Sequence, residues 1–172
     1  MKIRSLAILL SLLFASCGSK GQNEEISSKE NTTMYKFEKS ENEWKQDLSP
    51  QEYKILRQCG TEAPGTGKYY NFFERGVYLC AACGFELFDS KTKYSSGSGW
   101  PSFYDIIADS NVVLIEDNSL GMVRTEVRCA NCGGHLGHVF TGEGFTPKNT
   151  RHCVNSISID FIPENNKTDS KK

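Results

Sequence analysis

Apolar and polar positions repeat with different periods in different parts of the chain. Between Ser49 and Gly60 the spacing is helical. Tyr53, Leu56 and Arg57 share one face, and the segment opens on Ser49-Pro50-Gln51-Glu52. Serine suits the N-cap, proline the first helical position, and Glu52 can close a capping box. Leu48 and Tyr53 are placed for the hydrophobic staple, and Cys59-Gly60 ends the helix. Beyond it come short runs rich in β-branched and aromatic residues: Tyr69–Phe73, Val77–Cys80, Phe85–Phe88, Val112–Ile115, Met122–Cys129, Val139–Phe140 and Val154–Ile159. Gly, Asn, Asp and Ser clusters separate them at short intervals, which predicts antiparallel strands folded into sheets. From Asn155 to Phe161 the alternation is strict, the pattern of a strand with one buried face. The expected class is mainly β with one or two short helices.

Three stretches fall outside this pattern. Residues 1–16 join basic Lys2 and Arg4 to an apolar run from Leu6 to Ala15, about half the length that spans a bilayer. They predict a secretory signal segment rather than a membrane helix. Residues 18–33 hold one strongly apolar residue, Ile26, and predict a flexible tether starting at Cys17; residues 164–172 predict a disordered tail. The folded domain is expected over residues 34–163. The stretch Leu13-Phe14-Ala15-Ser16-Cys17 resembles a bacterial lipobox, in which cleavage leaves the cysteine at the new N-terminus carrying lipid. The alternative is an ordinary signal with an incidental cysteine. Lipidation at Cys17 places the domain in the bacterial cell envelope, anchored to a membrane and facing an extracytoplasmic compartment.

Charge and composition narrow the function classes. The 172 residues carry 20 Lys plus Arg against 21 Asp plus Glu, a net charge of −1. Removing residues 1–16 leaves 18 basic against 21 acidic groups. Neither balance is the footprint of a nucleic-acid binder. With 38% hydrophobic residues the chain can bury a real core. The unusual number is seven cysteines, an odd total that cannot all pair as disulfides.

Four of them form two CxxC pairs, Cys80-Ala81-Ala82-Cys83 and Cys129-Ala130-Asn131-Cys132, each followed by glycine. Four thiolates at this spacing satisfy the closed tetrahedral shell of structural Zn²⁺. Redox dithiols or disulfides are the alternative, but such motifs tend to open helices, and both of these pairs sit at strand ends with knuckle glycines. A closed shell leaves no position for catalysis and clamps distant parts of the chain together. Cys59 and Cys153 remain. Cys153 follows Arg151 and His152, and nearby positive charge lowers a thiol pKa, the condition for a nucleophile. A buried structural cysteine opening a strand is the other reading. His135 and His138 follow the second knuckle in Gly133-Gly134-His135-Leu136-Gly137-His138-Val139-Phe140. They can serve as metal ligands, although the four cysteines already complete a shell. Trp100, in Ser96-Gly97-Ser98-Gly99-Trp100-Pro101-Ser102-Phe103, lies either on a loop or in the core.

The segments GSGWPSF, the paired CxxC, GGHLGHVF and RHCVNS together resemble the methionine-R-sulfoxide reductase B family over about residues 40–162. The resemblance implies two antiparallel β-sheets with a short N-terminal helix, clamped by zinc on Cys80, Cys83, Cys129 and Cys132. It implies Cys153 as nucleophile, Trp100 as the pocket tryptophan, His135 and His138 as the active-site histidines, and Asn155 as the active-site asparagine. Three positions depart from the family pattern. Ser98 stands where many members carry a resolving cysteine, and Cys59 occupies the place other members use in the segment resembling LRQCGTE. His152 replaces the usual tyrosine, and phenylalanine is missing from Ala63-Pro64-Gly65-Thr66-Gly67.

On that resemblance the expected chemistry is thiol-dependent reduction of methionine-R-sulfoxide. Cys153 attacks, His138 is the leading acid, His135 and Asn155 orient groups around the oxygen, Trp100 walls the methyl group, and Arg151 favours the thiolate. Cys59 then captures the Cys153 sulfenic acid as a disulfide, and a thioredoxin-like dithiol donor reduces it. Oxidised methionine in proteins is the expected substrate, and the domain is expected to act as a monomer. The rival classes are a zinc-clamped β binding module without turnover, and a cysteine hydrolase pairing Cys153 with His135 or His138.

Overall fold

Each of the two α-helices among the described residues starts from a reciprocal cap. Helix α1 (Glu41–Asp47) opens on Ser40, which accepts the Glu43 N–H while Glu43 accepts the Ser40 N–H at 2.8 Å. Helix α2 (Pro50–Leu56) repeats the device with Ser49 and Glu52, as its sequence predicts. The structure, a computed structural model, describes residues 35–165. The expected signal segment, the tether with Cys17, and the part of the tail beyond residue 165 lie outside the described residues. Among those described, no helix is long and apolar enough to cross a membrane.

Among the described residues nine strands build two antiparallel sheets, the mainly β class that the sequence predicts. Strands β1 (Gly76–Cys80), β2 (Glu86–Asp89) and β9 (Ile159–Pro163) make the small sheet, in the order β2-β1-β9. Strands β3 (Lys93–Tyr94), β4 (Ser102–Phe103), β5 (Val112–Asp117), β6 (Arg124–Cys129), β7 (His135–Thr141) and β8 (Thr150–Val154) make the large one, in the order β3-β4-β8-β7-β6-β5. Aromatic rings join the two. Phe88 of β2 stacks on Phe103 of β4 at 4.4 Å, and Tyr78 of β1 meets Phe103 edge-on at 4.9 Å. Such pairs contribute about 0.5–1.5 kcal/mol each beyond the area they bury.

One expected strand is not a strand, and another begins late. Tyr69–Phe73 forms turns, and its aromatic spacing serves packing instead. Tyr69 is buried, with the Tyr78 and Phe72 rings each 5.5 Å away. The alternating run from Asn155 is interrupted by a 3-10 turn at Ser156–Ser158. Here the pattern is inverted: Ser156 and Ser158 are buried and Ile157 is half-buried. Both serines are satisfied by side-chain bonds, Ser156 N–H to Glu62 at 2.6 Å and Ser158 Oγ to the His135 carbonyl at 2.8 Å. Hydrogen bonding, not apolar burial, sets this segment.

Strand β7 carries the irregularity that matters most for the site. Val127 pairs with Gly137 but Arg128 pairs with His135, so Leu136 is an extra residue, a β-bulge. Strict alternation would send His135 and His138 to opposite faces. The bulge returns both to one face, where their rings are 5.6 Å apart. Beside the bulge, Gly137 lets β7 approach β8, since a Cβ there would lie 2.0 Å from the Cys153 carbonyl oxygen. Gly137→Ala should therefore destabilise the domain by about 1–3 kcal/mol through overpacking, read as a lower urea midpoint at unchanged slope. A midpoint equal to the parent protein's would show that the two strands are not in close contact here.

Candidate active site and metal centre

The large sheet has one polar face, and the strand register assembles it. Glu126 of β6 is opposite His138 of β7, which is opposite Cys153 of β8, which is opposite Ser102 of β4. Along β8, Arg151 shares the face of Cys153, whereas His152 turns to the core and packs 5.8 Å from the Phe88 ring. Burial lowers the His152 pKa, which works against the positive charge expected beside Cys153. Arg151 supplies it, and shares it: the guanidinium holds Glu143 through two bonds of 2.8 and 2.7 Å and lies 4.3 Å from the Phe140 ring.

Cys153 lines a cavity of about 120 Å³ with Thr61, Trp100, Arg124, His138 and Asn155. An apolar cavity of about 150 Å³ takes up a benzene, so this one suits a group of a few heavy atoms. A larger cavity of about 690 Å³, between α2 and the Ser156 turn, contains none of the sequence-predicted site residues. The Cys153 thiol is half-buried, and burial pushes its pKa up against the opposing pull of Ser98 and Arg151. The Ser98 hydroxyl is 3.8 Å from Cys153 Sγ. Trp100 is half-buried rather than core, and its indole N–H donates to the Glu62 carbonyl at 3.1 Å.

His138 is held from behind. Its Nε2–H donates to Asp117 Oδ2 at 2.8 Å, and the same oxygen accepts Arg124 Nη2 at 2.7 Å. Burial lowers the His138 pKa, while Asp117 pulls it back up. Asp117 itself lies well below the usual carboxylate range, through bonds from Ser119 first and His138 next. His135 is buried and bonds Glu126 Oε1 through Nδ1 at 2.6 Å. Burial alone would raise the Glu126 carboxyl, but His135 and Arg128 bring it down to about 2. Asn155 acts as a bracket, its Oδ1 accepting the Glu62 N–H at 3.0 Å and its Nδ2 donating to the Leu136 carbonyl at 3.2 Å.

Cys59 stands apart from Cys153. It follows α2 in the left-handed conformation, φ 53°, with its thiol 3.6 Å from Glu126 Oε1 and 3.7 Å from Arg128 Nη2. Burial, and Glu126 after it, raise its pKa. Glu126 is two strands away from Cys153, about 10 Å at the usual strand spacing.

The four knuckle cysteines come together. Their sulfurs lie within 4.8 Å of one another, with Cys80–Cys132 and Cys83–Cys129 each at 3.7 Å. A tetrahedral ion with metal–sulfur bonds of about 2.3 Å has sulfur–sulfur edges of about 3.8 Å, so the cluster fits a metal ion. Gly84 and Gly133, at φ 71° and 72°, close the knuckles by donating to the Cys80 and Cys129 carbonyls at 2.8 and 2.9 Å.

Sequence reasoning missed Asp117, Arg124, Glu126, Arg128 and Glu62. The signal for three of them was present: Arg124, Glu126 and Arg128 alternate with Thr125, Val127 and Cys129, a charged face along an otherwise buried strand.

The SelR domain family matches residues 48–163. Several curated relatives are similar over the same region. A "Peptide methionine sulfoxide reductase MsrB" from Leifsonia xyli subsp. xyli is 56% identical over 130 residues, 76% of this chain and 94% of the relative. The protein of that name from Methanosarcina mazei is 55% identical over 129 residues, 75% of this chain and 91% of the relative. The one from Leptospira interrogans is 52% identical over 130 residues, 76% and 98%.

The Asp117 contact makes a prediction independent of turnover. Asp117→Asn removes the charge that favours the imidazolium, so the His138 pKa should fall further, measured by NMR titration of the ring. An unchanged or raised value would show that Asp117 does not act on His138.

Proposed function

The chain belongs to the methionine-R-sulfoxide reductase B family, and on that footing we propose how its own side chains reduce methionine-R-sulfoxide. It is a peptide-methionine (R)-S-oxide reductase. The observation that carries the mechanism is the convergence of Cys153, His138 and Trp100 on one cavity of about 120 Å³.

A sulfoxide sulfur accepts a nucleophile when its oxygen is protonated or strongly hydrogen-bonded as the S–O bond breaks. Cys153 attacks as thiolate, with Ser98 and Arg151 offsetting the burial that opposes ionisation. His138 gives the proton to the oxygen. With Nε2 committed to Asp117, Nδ1 is the nitrogen left for the substrate, and Asp117 stabilises the imidazolium before transfer. His135 and Asn155 fix the surroundings of that oxygen, and the Trp100 ring walls the methyl group. The oxygen passes to Cys153, leaving methionine and a sulfenic acid, so the substrate gains the two electrons that the cysteine loses.

Cys59 then attacks the Cys153 sulfenic acid. The S–S bond forms, and the hydroxyl leaves as water with the Cys59 proton. Ser98 touches Cys153 but has no thiol, which leaves Cys59 for this step. Its segment must first leave Glu126, because a disulfide needs Cα atoms within about 7 Å. A thioredoxin-like dithiol donor returns both cysteines to thiols. The four-cysteine cluster is assigned to one structural Zn²⁺, which when bound supplies a covalent tie between the sheets. The N-terminal segment supports a lipid-anchored position outside the cytoplasm through Cys17.

Three measurements test this reading. Cys153→Ser should lose turnover of methionine-R-sulfoxide by at least about 10³-fold, and retained activity would remove Cys153 as nucleophile. Cys59→Ser should release one stoichiometric methionine and then stop with thioredoxin as donor; continued recycling would assign the second thiol elsewhere. Elemental analysis should find one zinc per chain, and Cys132→Ser should lose it together with thermal stability. Fully stable protein without metal would refute the tie.

A further inference from the structure

Beside the Cys153 pocket lies a second cluster that the reaction uses only in part. Cys59 Sγ, Glu126 Oε1 and a ring nitrogen of His135 lie within 4.8 Å of one another. They come from the loop after α2, from β6 and from β7, and they line a cavity of about 460 Å³. This cavity shares Thr61, Arg124 and His138 with the Cys153 pocket. Glu126 and His135 are buried, while Cys59 is exposed, so the cluster is fixed on one side and open on the other.

A thiolate, a carboxylate and an imidazole make the donor set of an open zinc-type site, three protein ligands with the fourth position left to water. The separations suit it. Glu126 Oε1 is 3.6 Å from Cys59 Sγ and 2.6 Å from His135 Nδ1. Ion bonds of about 2.0–2.3 Å need edges of roughly 3.3–3.7 Å, so the imidazole must draw back from Glu126 by less than about 1 Å. A cation already sits at this point. Arg128 Nε is 2.9 Å from Glu126 Oε1, and its Nη2 is 3.7 Å from Cys59 Sγ. The guanidinium is part-exposed on a long, flexible stem that can swing into solvent.

We infer that Cys59, Glu126 and His135 form a second binding site for a zinc-type divalent cation, with Arg128 as its built-in competitor. Binding is ligation without redox change. Cys59 gives its thiol proton to solvent, and His135 moves its ring proton to Nε2, which is buried and has no other partner. The ion then bonds Sγ, Oε1 and Nδ1. Because it takes the thiol proposed for the resolving step, occupancy should halt recycling; that consequence, unlike the binding itself, rests on the role given to Cys59.

The test titrates Zn²⁺ into reduced protein whose four-cysteine site is already loaded, using equilibrium dialysis and iodoacetamide labelling of Cys59 mapped by mass spectrometry. A second equivalent should bind and protect Cys59 from alkylation. Cys59→Ser and Glu126→Gln should each return the stoichiometry to one, and Arg128→Met should tighten the second equivalent on the order of tenfold. A stoichiometry that stays at one in the parent protein overturns the inference, as does a second equivalent that persists in Cys59→Ser. Binding that protects Cys59 yet leaves thioredoxin-coupled turnover untouched would uphold the site and count against Cys59 as the resolving thiol.

Discussion

Four sulfur atoms within 4.8 Å of one another set the frame for everything else in this domain. One knuckle ends β1 in the small sheet and the other ends β6 in the large one, so the cluster is where the two sheets are joined. The second knuckle leads straight into β7, so the start of the histidine strand is fixed by Cys132. Arg57 at the end of α2 donates to the Cys132 carbonyl at 3.2 Å, which ties the segment leading to Cys59 to the same point. Crowding splits the thiols. Hydrogen bonds from the neighbours, Cys129 first, hold Cys83 well below the usual thiol range and push Cys80 up. An ion that took all four as thiolates would remove that conflict.

From that frame the large sheet obtains two unlike faces. Val127, Cys129, Val154 and Phe103 are buried on one, while Glu126, His138 and Cys153 form a cross-strand row on the other. The polar row sits next to a hydrophobic core, so desolvation works against every charge in it. It raises Cys153, lowers His138 and would raise Glu126. Each charge is therefore kept by a partner. Asp117 supports His138, Arg128 and His135 support Glu126, and Glu143 takes much of Arg151. Cys153 has the weakest support, a serine hydroxyl and a guanidinium already committed elsewhere.

Much of this was legible in the chain. The knuckles, the α2 cap and the residues of the Cys153 pocket are short-range signals, each carried by neighbours in sequence. What was not legible depends on register. Nothing local tells Asp117 that it will face His138 across two strands, or Glu126 that it will receive His135 and Cys59. The spacing of His135 and His138 even points the wrong way under strict alternation, and one extra residue, Leu136, corrects it. Ser156 and Ser158 misled for a related reason, since a polar residue can be the buried member of an alternating pair once its hydrogen bonds are met inside. Glu62 shows how far such bonds reach: from the loop after α2 it holds Ser156, Asn155 and Trp100.

On the role proposed for Cys59, the second thiol stands elsewhere in the fold than position 98. At position 98 a resolving cysteine would already touch Cys153, and the disulfide would form with little motion. This chain has a hydroxyl there and keeps its second thiol two strands away, at the end of a seven-residue helix. The parked position is not relaxed. Cys59 holds a left-handed backbone that costs a non-glycine residue about 1 kcal/mol, and its thiol faces a carboxylate that opposes ionisation. Leaving that position relieves both penalties, which offsets part of the loss of the Gly60 bond to the Lys54 carbonyl that closes the helix. On the role proposed for Cys59, its release is thus coupled to the end of α2 rather than to the pocket that holds Cys153.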